Sequence, residues 1–280
     1  MRKTTLALLI EIIFAISAYG YYDLIRQNGG FSALAIKDTK ESAGVIYEQN
    51  SLPEVYFTTY ENITPIMLDL ISKSSDIKCA VYEVSEPQIV QAFKEKNSLI
   101  AVENDYYYGE FHTGNSSGEM HNKFCVFDND TVMTGSTNLN FEGIYRNDNN
   151  LLIIHSRYIA QNYLDEWSEI YADRFATGEK VRYPKLVLNN DTFIQNYFCP
   201  EDSCETHVLE ELSKANQSIR FMTFSFTDKK IADLLVQKSK DNIDVKGVFS
   251  SCDTLDKKND FSSFNSTSFS LRSCSRINFS

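Results

Sequence analysis

Two stretches of the chain, 55–96 and 196–240, carry the same order of elements, and this constrains the fold more than any other feature. Each opens on a strand-like Tyr-Phe pair, at Tyr56 and Phe57 and again at Tyr197 and Phe198. Apolar residues at helical spacing follow: Ile66, Leu70 and Ile71 in the first, Val208, Leu212 and Ala215 in the second. Then come Ser-Lys, a β-rich run (IKCAVYEV or IRFMTFSF) and a second helical stretch. A β-α-β-α unit written twice predicts an internal repeat. Strands alternating with helices predict an α/β sandwich, with helices packed on a mixed sheet.

The chain has 280 residues, room for one large domain or two ordinary ones. At 42% hydrophobic and 13% aromatic it can bury a sizeable core, which excludes a disordered chain. A net charge of -11 counts against a non-specific nucleic-acid coat, because long-range repulsion pushes polyanions away.

After the first copy the chain runs through LIAVEND, a polar loop with Tyr106, Tyr107 and Tyr108, the stretch HNKFCVFDNDTVMTGSTN at 121–138, the strand-like LLIIHS, and a helical segment over 157–175. The aromatic run reads either as an edge packed on the core or as a stacking surface for a base or head group. The second copy does not finish. After VKGVFSS it becomes a Ser-, Asn- and Phe-rich tail without a clear period.

The start, MRKTTLALLIEIIFAISAYG, has two basic residues ahead of an apolar run with small residues at its end. It reads as a signal peptide or an N-terminal membrane anchor, which would put the bulk of the chain outside the cytoplasm, secreted or membrane-anchored. The expected boundaries are 1–20 for that segment, 21–52 for a linker, 53–178 for the first repeat, 190–250 for a partial second repeat and 251–280 for an irregular tail. Of the six cysteines, Cys199 and Cys204 flank a polar turn where a local disulfide fits. Cys79 and Cys125 sit in apolar runs and read as simply buried. No Cys/His set at finger spacing is present, so no metal site is expected.

Stretch 121–138 concentrates the chemistry. HNKFCVFD reads as a strand ending at an Asp-Asn-Asp turn, with TVMTGS as the returning strand of a hairpin. Residues two apart on a strand share a face, so His121 and Lys123 project together. Gly135 lets the backbone turn closely, and Ser136 and Asn138 offer small hydrogen-bonding groups beside that face. An imidazole, an ammonium and an amide together suit a tetrahedral oxyanion such as phosphate. A neutral imidazole is also a nucleophile towards phosphorus. His112 and His155 read as loop and strand-end residues, and His207 as a surface residue at the start of a helix.

HxKx4D followed by GSxN resembles the signature of the phospholipase D superfamily, carried by His121, Lys123, Asp128, Gly135, Ser136 and Asn138. The resemblance covers 53–175 and the partial copy at 196–250. It implies a phospholipase D-like α-β-α sandwich whose second repeat is truncated. It also implies a phosphodiester hydrolase, without metal or cofactor, acting on a phospholipid head group or a nucleic-acid phosphodiester. The implied catalytic residues are His121, which forms a phosphohistidine, Lys123, which holds non-bridging oxygens, and Asp128, which orients the motif. Ser136, Gly135, Asn138 and Asn149 would line the substrate side.

Two departures follow from the family pattern. Asn149 stands where members often carry a glutamate. A second motif is expected near residue 262, yet no histidine follows His207. Small single-motif members take the second histidine from a homodimer; a homodimer is one way to supply it here, and the partial second copy would occupy the surface a twin must use. The alternative is a truncated or degenerate homologue that binds phosphate without turnover.

Overall fold

The computed structural model describes residues 15–16, 44–103, 111–113, 118–224 and 226–249; of 15, 16 and 249 only the backbone is described. The leader or anchor expectation for 1–20 otherwise lies outside the described residues, as do Tyr106, Tyr107, Tyr108 and the tail from 251. Among the described residues no helix is long and apolar enough to cross a membrane. The chain divides into two compact units, one over Ala15–Asp202 and one whose described residues are 203–224 and 226–249.

In the first unit a two-residue strand, β1 (Ala15–Ile16), precedes β2 (Ile46–Glu48) and β3 (Glu54–Phe57). Next come α1 (Thr64–Lys73), β4 (Ile77–Val81), α2 (Pro87–Glu95), β5 (Leu99–Val102) and β6 (His112–Thr113). The hairpin is β7 (Lys123–Phe127) and β8 (Thr131–Gly135), followed by α3 (Phe141–Tyr145), β9 (Asn150–His155) and α4 (Arg157–Tyr171). The unit closes with β10 (Lys185–Leu188) and β11 (Thr192–Gln195). The main sheet has the order β3-β9-β8-β7-β4-β5-β6. β4, β5 and β6 run parallel, and β7 lies antiparallel to β4, so the sheet is mixed as expected.

Local chemistry explains the elements. α1 and α2 each begin with proline in the first turn, where the missing N–H costs nothing. Each buries an i, i+4 pair, Met67 with Ile71 and Ile89 with Phe93. They cover one face of the sheet, where Cys79, Val81, Cys125 and Phe127 point. The alternate residues Ala80, Phe124 and Val126 point to the other face, against Ile159, Tyr163 and Trp167 of α4. Ser156 caps α4 by accepting the Ile159 N–H at 3.2 Å.

Three expectations change. Residues 46–48 are not linker: β2 pairs in parallel with β10, and Glu48 accepts hydrogen bonds from Ser156 and from the Arg157 N–H, tying this strand to the start of α4. Tyr197 and Phe198 are not in a strand; the nearest is β11, which ends at Gln195 and pairs with β10. Cys79 and Cys125 are buried but joined to each other, because antiparallel pairing of β4 and β7 sets them directly opposite with Cα atoms 4.0 Å apart. Cys199 and Cys204 are also both disulfide-bonded.

The second unit runs α5 (Cys204–Lys214), β12 (Ser218–Thr223), α6 (Lys229–Lys240) and β13 (Asp244–Phe249). Its two strands are parallel, and Leu212, Ile219, Phe221, Leu235 and Val245 form its core. Asp228 caps α6 by accepting the Ile231 N–H at 2.9 Å.

Candidate active site

Strand directions gather the ends of β3, β4, β5 and β8 and the starts of β7 and β9 along one edge of the main sheet. His121 lies just before β7 and Lys123 is its first residue. The Lys123 ammonium donates to the His121 carbonyl at 3.0 Å. Both side chains meet Tyr82, the residue after β4. The His121 and Tyr82 ring centroids are 4.5 Å apart, edge to face, and the Lys123 Nζ lies 5.1 Å from the Tyr82 centroid.

Burial holds the His121 pKa below its ordinary value, and the Lys123 charge pushes the same way. Glu119 and Glu103 pull in the opposite direction with smaller effect. Both effects favour the neutral imidazole, the form that can act as a nucleophile.

The second half of the motif reaches the same edge through β8. Gly135 has φ of 147°, and a Cβ there would lie 2.3 Å from the Asn150 carbonyl oxygen, so the approach of β8 to β9 requires glycine. The Ser136 hydroxyl donates to the Asn149 side-chain oxygen at 2.9 Å and accepts the Asn150 N–H at 3.1 Å. Thr137 donates to the Asn150 carbonyl at 2.8 Å. The Asn138 side-chain oxygen is buried without a hydrogen-bond partner, a cost that a purely structural asparagine has no reason to carry.

The two halves converge on the turn after β4. The Tyr82 N–H donates to the Asn122 carbonyl at 2.7 Å, and Val84 bridges Leu139. Glu83 accepts from the Asn140 amide, while Asn140 caps α3 by accepting the Gly143 N–H at 2.7 Å. Tyr82 and Glu83 were not singled out from the sequence. The available signal was an aromatic and a carboxylate directly after a buried strand, at the end where such strands present side chains.

Two expected site residues bond to the surrounding backbone and side chains. Asp128, expected among the catalytic residues, stands at the far end of β7, about 17 Å of strand from Lys123 at 3.4 Å per residue. Its carboxylate accepts the N–H groups of Ser75 and Asp76 at 2.8 and 2.9 Å, and its own N–H donates to the Asp76 carbonyl. It thus anchors the hairpin to the α1–β4 turn and has no contact with the reacting edge. Asn149, expected on the substrate side, uses its amide oxygen for Ser136 and its amide nitrogen for the Gly143 carbonyl at 3.0 Å. The other histidines are engaged elsewhere. His112 stacks on Tyr171 and pairs with Asp173, His155 meets Thr131 at 2.9 Å, and His207 pairs with Glu210.

The family model described as cardiolipin synthase, PLD-like domain, matches residues 90–171, which include the whole hairpin. The chain is similar to the mitochondrial cardiolipin hydrolase of Xenopus laevis, with 24% identity over 126 residues, covering 39% of this chain and 60% of that one. The mitochondrial cardiolipin hydrolase of Xenopus tropicalis is 38% identical over 58 residues, covering 21% and 28%. The match thus spans less than two thirds of either relative. Among solved structures, the phospholipase D family member Nuc from Salmonella typhimurium aligns with a TM-score of 0.39 and 20% identity over 44% of this chain and 96% of that one. The histidine, lysine and asparagine of the motif flank the β7–β8 hairpin inside the segment that matches the PLD-like family model, so over residues 90–171 the chain is similar to a phospholipase D-like domain.

Proposed function

We propose that the chain is a phosphodiesterase that works through a phosphohistidine on His121, with a phospholipid as the first substrate to test. The observation that carries this reading is the His121 imidazole and the Lys123 ammonium set on one tyrosine ring. A ring-nitrogen lone pair attacks phosphorus, the P–N bond forms, and the bond to the leaving alkoxide breaks. Lys123 takes up the charge that grows on the non-bridging oxygens, and Asn138 lies just beyond the end of β8, the strand paired with β7. An imidazolium protonates the leaving oxygen. Water then attacks phosphorus, gives its proton back to that second imidazole, and releases His121. The second imidazole is assigned to His121 of another copy of this chain: His155, at the far end of β9, bonds Thr131, and His207 meets Glu210.

The phospholipid choice rests on the names of the two curated relatives. The test is hydrolysis of cardiolipin vesicles and of single-stranded DNA by the full chain in EDTA, beside His121→Ala. We expect cardiolipin turnover that falls at least roughly a thousandfold in the variant. A variant as active as the parent sinks the mechanism, and turnover of DNA alone reverses the substrate.

A second reading, a phosphate-binding homologue without turnover, is favoured by Asn149. An amide cannot stabilise an imidazolium as a carboxylate does, and this one is already engaged by Ser136 and Gly143. Binding of phospholipid by both proteins with turnover by neither would select it.

A further inference from the structure

We propose that Tyr82 is a positioning residue, whose ring seats the His121 imidazole and the Lys123 ammonium at one fixed spacing for a single phosphoryl group. This rests on the phosphodiesterase reading of the same edge.

The backbone of Tyr82 is clamped on both sides. Its N–H donates to Asn122 on the β7 side at 2.7 Å, and its carbonyl accepts the Glu103 N–H on the β5 side at 3.3 Å. Glu103 in turn accepts the Met120 N–H, one residue before His121. The tyrosine is therefore tied by main-chain bonds to the segments that carry the histidine. Its ring is half-buried between them and meets both reactive side chains.

A lysine chain has four rotatable bonds and samples many positions when only water meets its ammonium. The negative ring face narrows that range by attracting the charge. The ring contact limits the imidazole in the same way. Spacing between the two groups matters because reacting atoms must come within about 3–3.5 Å in a productive pose. A residue that only filled space here would serve as well if it were leucine, which covers comparable area without a ring quadrupole.

The charged groups around His121 are Lys123 at the start of β7, Glu119 before it and Glu103 at the end of β5. Leucine keeps the imidazole covered but takes away the ring's pull on the ammonium, leaving it only the bond to the His121 carbonyl, so the Lys123 charge spends less time beside the imidazole while the two glutamates remain. That change raises the histidine pKa.

The test compares the full chain with Tyr82→Phe and Tyr82→Leu, each checked for folding by circular dichroism. The His121 ring is titrated by NMR with labelled histidine and identified by its loss in His121→Gln. Turnover of bis-(p-nitrophenyl) phosphate is measured in parallel. In Y82L the His121 pKa is expected to rise by about 0.5 unit, as a lost contact of this class implies. Its kcat is expected to fall about tenfold with KM little changed. Y82F, which keeps the ring, should match the parent in both. An unmoved titration in Y82L overturns the proposal, and so does a Y82F variant as impaired as Y82L, which would put the role on the hydroxyl. If no protein turns over substrate, the phosphodiesterase reading fails while the titration still decides the role of Tyr82.

Discussion

The runs α1-β4-α2-β5 and α5-β12-α6-β13 have the same order and the same parallel pairing of strands. An aromatic residue follows the first strand in each, Tyr82 after β4 and Phe224 after β12. Tyr82 meets His121 and Lys123, whereas Phe224 is 76% exposed. The difference lies in the next neighbour of the strand. β4 has β7 on its other side, entering antiparallel with the motif at its start, whereas among the described residues β12 pairs with β13 alone. The α-β-α-β run therefore supplies a seat, and the added hairpin supplies the chemistry.

The largest effect that would sharpen this contrast concerns the bond that fastens the hairpin to the seat. The Cys79–Cys125 disulfide closes a separation of 46 residues, while neither β12 nor β13 contains cysteine. Replacing both by alanine should lower the stability of the first unit by roughly 4 kcal/mol on the chain-entropy account. Urea unfolding with and without reductant measures this. A parent that reductant does not destabilise would break the picture of a fastened hairpin.

A pair of glycines gives a smaller, graded contrast. Gly135→Ala drives a Cβ into the Asn150 carbonyl at a left-handed φ, and backbone cannot step aside cheaply. A loss of about 3 kcal/mol is expected. Gly247→Ala on β13 meets the Phe221 ring, which can tilt, so about 1 kcal/mol is expected. Equal losses in thermal unfolding would show that the β8–β9 contact is looser than its geometry.

The smallest contrast is one of charge. On α4, burial first, then Glu201, Glu169 and Asp202, push the Glu166 pKa up to about 8. A carboxyl raised in the folded state contributes its stability in the protonated form. That contribution is complete below the unfolded pKa of 4.5 and is lost as pH rises through about 8. Glu166→Gln should gain on the parent steadily from about pH 5 to about pH 8. Asp244 of the second unit is lowered instead, by Lys246 first and then Arg220, and it is fully exposed. Its contribution is present at neutral pH and lost in acid, so the small cost of Asp244→Asn should show near pH 7 and vanish in acid, the opposite course to Glu166→Gln. A parallel pH course for both variants would contradict the assignment of Glu166 to a buried setting.

Local patterns made part of this fold legible. The β7–β8 hairpin follows from alternation and from an Asp-Asn-Asp turn whose first two residues, Asp128 and Asn129, take left-handed φ of 48° and 60°. Helical periodicity gives α4, which ends at Tyr171 rather than at 175, before Asp173 with φ of 57°. What the sequence hid depends on pairing between distant segments. The register Cys79↔Cys125 joins strands that are not consecutive, and β2 with β10 pairs residues far apart in the chain. Tyr82 was illegible for the same reason, since its role exists only once β7 lies beside β4. Asp128 was legible as part of a motif, and its distance from Lys123 follows from the strand reading, but its partners Ser75 and Asp76 appear only once β7 lies beside β4.

That distance has a consequence for specificity of folding. Side chains on a strand alternate between faces, so a slip of one residue would turn both His121 and Lys123 to the wrong side of the sheet. With Asp128 held by the N–H groups of Ser75 and Asp76, β7 is gauged from the end opposite the chemistry. The carboxylate of the motif thus acts as the zero mark of a ruler: it sits at the end of β7 away from His121 and Lys123, and it decides which residue arrives at the other end.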